Sequence, residues 1–176
     1  NPILKIGPGL PFFYSDGVVE CNVPRGPLQI LVERGTEYIP NVISINVSNE
    51  KKNYEIEITK WSNLEGLGWH PGNTHIHYDE KEQNPDGRLQ LDPRVENLRM
   101  TAVSILKRWD LEYATNKYAP GTLNEFSTDD YYVQCGEENR HNANGSHEPG
   151  YGHIMLLNIS NIVYPVSRGL LVDAFD

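Results

Sequence analysis

The period of the hydrophobic pattern changes partway along the chain, and that change limits the fold more than any other feature. Up to about residue 62, most apolar and polar residues alternate. Stretches 18–23, 28–33, 42–47 and 54–58 each read as a short strand. Turn-forming clusters separate them, at Ser15-Asp16-Gly17, Pro24-Arg25-Gly26-Pro27, Arg34-Gly35 and residues 49–53. Such spacing predicts an antiparallel β-sandwich. A glycine-rich stretch, residues 64–72, then forms a junction, and the period lengthens. Asp92-Pro93 has the form of a helix start, with Asp as N-cap and Pro in the first turn. Val95, Leu98, Ala102, Ile105, Leu106 and Trp109 follow at three- and four-residue spacing, which predicts an amphipathic helix over 92–109. Further strands are expected over 111–118, 131–135 and 153–157, giving the rhythm of an α/β unit. The expected fold is therefore α+β overall: an N-terminal antiparallel β-sandwich over 1–63, then an α/β portion over 64–176.

Composition narrows the function. Of 176 residues, 38% are hydrophobic and 22% charged, as in a folded domain. The net charge of −9, with no basic run, excludes nucleic acid as an expected partner. No apolar stretch approaches the roughly 20 residues that span a bilayer, so no membrane partner is expected. The two cysteines, Cys21 and Cys135, make no disulfide framework and no zinc ribbon; a single bridge and two free thiols are both open. Glycosylation sequons occur at Asn46, Asn144 and Asn158. The chain opens on Asn-Pro rather than Met, which points to a trimmed N-terminus and leaves localisation open, an extracytoplasmic one included.

The chemistry centres on His75-Ile76-His77. Residues i and i+2 of a strand share a face, so two imidazoles can reach one ion with little backbone adjustment. Glu137 and Glu138 follow one expected strand, and His153 opens another. Imidazole with carboxylate suits zinc, manganese or iron better than calcium. Taken singly, each residue has a plainer explanation: surface histidines, a solvated acidic turn, a hydrogen-bonded strand histidine. Together they predict a divalent-metal site. His70, His141 and His147 lie among glycines or in a polar loop and carry less weight. No phosphate-binding glycine loop, nucleophile elbow or Cys-His dyad is present.

Gly72-Asn73-Thr74-His75-Ile76-His77, then Gly136-Glu137-Glu138, then Gly152-His153-Ile154-Met155-Leu156-Leu157, resembles the polymerase-and-histidinol-phosphatase (PHP) superfamily, most closely its carbaryl-hydrolase-type branch. The resemblance spans about residues 66–170. It implies a distorted βα barrel that gathers metals at the C-terminal ends of its strands. It also implies hydrolysis of phosphoester, ester, or amide and carbamate bonds of a small-molecule substrate by metal-activated water. His75, His77, Glu138 and His153 match the ligand positions, with one or two ions expected. Three departures stand out. Asn73 replaces the usual Asp. Lys117 falls where the second motif has a ligand histidine; it is expected to reduce the metal count or to act as a catalytic cation. A closed parallel barrel typically runs about 250 residues, so only the N-terminal portion is matched, and an oligomer or a missing C-terminal segment is expected to complete it. Two alternatives are a cupin-like metal-binding barrel, and a non-catalytic β-module joined to a degenerate scaffold that binds a partner.

Overall fold

The computed structural model describes residues 11–50, 52–106, 112–142 and 149–163. The chain is a mixed α/β protein made mostly of strands, with one α-helix among the described residues and open sheets. It divides into two compact units, Asn1–Pro71 with Arg94–Asn97, and Gly72–Pro93 with Leu98–Asp176.

In the first unit β1 (Gly26–Val32) pairs antiparallel with β3 (Asn41–Val47), in register from Gly26↔Val47 to Val32↔Asn41. β2 (Tyr38–Ile39) pairs antiparallel with β4 (Thr59–Lys60). β1 and β3 alternate half-buried and exposed residues, as their sequences predict. The expected strands over 18–23 and 54–58 do not form. Every residue of 18–23 is exposed, so that stretch buries no apolar face, and among the described residues no strand pairs with it.

The second unit is built on parallel strands. β5 (Gly72–Ile76) lies beside β6 (Met100–Ile105), and β6 beside β8 (Tyr132–Asn142). β7 (Gly121–Thr122) and β9 (Pro149–Leu156) pair antiparallel with β8. Glu137 pairs with Ile105 on one side and Leu156 on the other, so β6 and β9 occupy opposite edges of β8. The core gathers Leu89, Val103, Ile105, Phe126, Val133 and Cys135.

The helix is displaced from its expected place. α1 (Pro85–Val95) starts at an Asn-Pro pair eight positions before the Asp-Pro that the sequence offers. Asn84 Oδ1 accepts the Gly87 N–H at 3.1 Å, and Pro85 follows as the first helical residue. Asn97, with φ 55°, closes the helix: the Leu98 N–H returns to the Pro93 carbonyl at 2.8 Å and the Asn97 N–H to Arg94 at 3.3 Å. Asp92 and Pro93 fall inside the helix, where Asp92 accepts from Arg88 Nε at 2.8 Å.

The second half of the predicted helix is strand β6. Thr101, Val103 and Ile105 are β-branched, and every residue from 101 to 105 is buried. A strand covered on both faces shows no alternation, so its apolar run matches helical spacing equally well. Trp109 lies outside the described residues, as do Asn144 and His147. Ala114–Lys117 is a short 3-10 turn rather than the strand expected over 111–118.

Candidate metal centre

Two features of the backbone bring the candidate ligands together. The first is parallel pairing, which puts the C-terminal end of β6 beside the middle of β8 and that of β5 beside β6 on its other edge. His75 sits in β5 and His77 directly after it. The Asn73 side chain accepts the His75 N–H at 3.0 Å and fixes the turn into the pair. The second is Gly136. A Cβ there would lie 2.2 Å from the Leu156 carbonyl oxygen, so only glycine lets β9 approach β8 at this point. That approach lays β9 along β8, with His153 paired to Arg140, two positions past Glu138, and its imidazole within reach of the Glu138 carboxylate.

Glu138 is the hub. Its side chain is 0% exposed, whereas those of His75 and His153 are 49% and 42% exposed. Oε2 meets His75 Nε2 at 3.1 Å and is in close contact with His77 Nε2; Oε1 meets His153 Nδ1 at 3.2 Å. The two oxygens of one buried carboxylate therefore face imidazoles on two sides. The His75 and His77 rings stand edge to face, with centroids 5.1 Å apart.

The donor set could hold a metal ion. One donor atom each from His75, His77 and Glu138 lies within 4.8 Å of the others. Donors about 2.0–2.2 Å from a shared zinc ion sit within about 4.4 Å of one another, so small side-chain rotations close the set. The His77 tautomer points the same way. Its Nδ1 lies 3.0 Å from the Ser104 carbonyl oxygen, which only accepts, so Nδ1 carries the proton. A neutral His77 then turns a lone pair toward the lone pairs of Glu138, and a proton or a metal cation must stand between them.

Lys117 is placed differently. Its Nζ lies 2.6 Å from Asp86 Oδ1, which also accepts from the Tyr118 hydroxyl at 2.7 Å. These contacts, Lys117 first, hold the Asp86 carboxyl below the usual carboxylate range. Burial, and then Asp86, push the Tyr118 hydroxyl above its ordinary value. The ammonium is thus engaged by Asp86 and is not one of the grouped donors. Glu137, one residue before the hub, is buried and accepts the Val163 N–H at 2.7 Å. His70 belongs to the first unit.

Sequence reasoning missed the surroundings of His77. Tyr113 packs its ring against the imidazole at a centroid distance of 4.9 Å, and Ser104 contributes a main-chain oxygen. Neither contact has a local sequence signal, because both depend on which segments the sheet brings together. No protein-family model matches the chain, and neither a curated protein nor a solved structure matches it.

Proposed function

We propose that the second unit is a metal-dependent hydrolase-like domain, with His75, His77 and Glu138 holding a divalent ion and His153 engaging the far oxygen of Glu138. The observation that carries this reading is the fully buried carboxylate of Glu138 among three imidazoles. Zinc, manganese and iron suit the donor types. Bound there, such an ion supplies a Lewis acid and brings the pKa of a coordinated water toward about 7. The chain's own residues do the rest. Glu138 provides the negative charge. Ser104 and Tyr113 orient His77. The exposed flanks of His75 and His153 leave the centre open to a small-molecule ester, amide, carbamate or phosphoester.

The arrangement agrees with a PHP-type portion of the carbaryl-hydrolase kind, with the first unit read as an accessory β-module of sandwich type. On this reading the open sheet is completed by a second copy or a further segment. The parallel pairing of β5, β6 and β8 counts against a cupin, whose barrel is an antiparallel jelly roll. A degenerate scaffold remains the rival that the test separates.

The test is metal content by mass spectrometry after incubation with zinc, manganese or iron, beside hydrolysis of chromogenic ester, carbamate and phosphoester probes. The wild-type chain is expected to retain one or two ions and to hydrolyse at least one probe in a metal-dependent way. His75→Ala combined with His77→Ala is expected to lose both properties. Equal metal content in the two proteins would overturn the metal centre and favour the scaffold.

A further inference from the structure

The 3-10 turn Ala114–Lys117 is fastened to the chain just past two adjacent strands of the sheet, β5 and β6. Its Ala114 N–H donates to the Tyr78 carbonyl at 2.9 Å, just past β5. The Asn116 side chain makes a two-point pair with the main chain of Leu106, just past β6: Oδ1 accepts from N at 2.9 Å and Nδ2 donates to O at 3.0 Å. Between them, Thr115 Oγ1 donates to the Ser104 carbonyl at 3.0 Å. This is the same oxygen that accepts from His77 Nδ1. Thr115 and Ser104 are both 0% exposed.

From this we propose that Thr115 is a positioning residue. Through the Ser104 carbonyl it fixes His77 with Nδ1 protonated and Nε2 turned to Glu138. The inference rests on reading His77 as a ligand. A carbonyl oxygen has two lone pairs, and here one takes Thr115 and the other His77. The hydroxyl therefore aims the oxygen that aims the imidazole. Among the described residues the Ser104 carbonyl is the hydrogen-bond partner of His77 Nδ1. Orienting partners of ligand histidines typically change metal affinity by about 10–100-fold when removed. Thr115 is well suited to this task because its hydroxyl is held in a rigid turn and shielded from water, so it has no competing solvent partner.

The experiment follows the exchangeable Nδ1 proton of His77 by nitrogen-15 NMR in the full chain, first without metal, then with zinc titrated in. The wild type and Thr115→Ser are expected to show a slowly exchanging Nδ1–H. Thr115→Val, which keeps the shape and loses the hydroxyl, is expected to lose that signal and to bind zinc about 10–100-fold more weakly. Where the valine variant does not fold, Thr115→Ala is compared with Thr115→Ser by the same signal. If the Nδ1–H persists unchanged in variants without the hydroxyl, the inference is overturned whatever the zinc result. If no protein binds zinc yet the proton still follows the hydroxyl, the metal reading fails while Thr115 keeps its positioning role toward an imidazole–carboxylate pair.

Discussion

Strand β6 of the second unit is buried from Thr101 to Ile105, whereas β1 and β3 of the first unit alternate half-buried and exposed residues and bury none fully. Among the described residues every buried hydrophobic side chain belongs to the second unit. The buried side chains of the first unit are instead polar: Glu37 and Asn97, bonded to each other at 3.2 Å, with Lys60 Nζ 3.5 Å from the same carboxylate. The difference teaches where chemistry can be placed. A strand covered on both faces makes a water-poor setting in which a carboxylate such as Glu138 interacts strongly with its neighbours. The β1–β3 ladder, with one face in water, buries no residue fully and offers no such setting; two strands alone are marginal. Trp61, Leu67 and Trp69 of the first unit are also largely exposed.

The largest test of this contrast is a pair of truncations. Leu89, 1% exposed, sits in the core of the second unit, and Val42, 56% exposed, lies on the open face of β3. Leu89→Ala is expected to cost about 2–5 kcal/mol by chemical denaturation, since it removes apolar contacts and leaves a cavity. Val42→Ala is expected to stay within about 0.5 kcal/mol of wild type. Comparable losses at the two sites would break the comparison.

What the sequence discloses divides along the same line. β1 and β3 are legible because a half-exposed strand writes its geometry as alternation. The shared face of His75 and His77 is legible too, because it needs only the period of a strand. β6 is not, because burial on both faces removes alternation and leaves an apolar run that fits either period. The helix start is ambiguous for a different reason. Asn84-Pro85 and Asp92-Pro93 carry the same capping chemistry, and the chain uses the first. The clasp of Thr115 on Ser104 beside His77 has no local pattern at all. It exists only once β5, β6 and the turn at 114–117 meet.

The cysteines sharpen the contrast at the level of reactivity. Cys21, in the first unit, is free and exposed; Cys135, in the second, is free and buried. Burial pushes the Cys135 thiol up to about 11, so almost none of it is thiolate near neutral pH. A colorimetric thiol reagent is expected to modify one thiol per chain promptly and the second only as fast as the second unit opens. Leu89→Ala is expected to hasten that second phase. Two equally fast thiols would show that the second unit does not exclude solvent.

The smallest expected effect concerns the surface clasp of Asp86, Lys117 and Tyr118, which ties the first turn of α1 to the turn at 114–117. Asp86 is depressed below the carboxylate range, chiefly by Lys117 and then by Tyr118. A depressed carboxyl stabilises the fold above its unfolded pKa and loses that contribution as pH falls through the folded value. The contribution is therefore full at neutral pH and declines only below about pH 3.9, the ordinary aspartate value. Half of the Asp86 side chain is in water, so screening keeps the contribution to about 0–1 kcal/mol. Asp86→Asn is expected to lower stability by that amount at pH 7, and the difference from wild type is expected to shrink as pH falls below about 3.9, measured by denaturation across that range. A loss well above 1 kcal/mol at pH 7 would mean that this exposed clasp, and not the buried strands alone, holds the turn that carries Thr115.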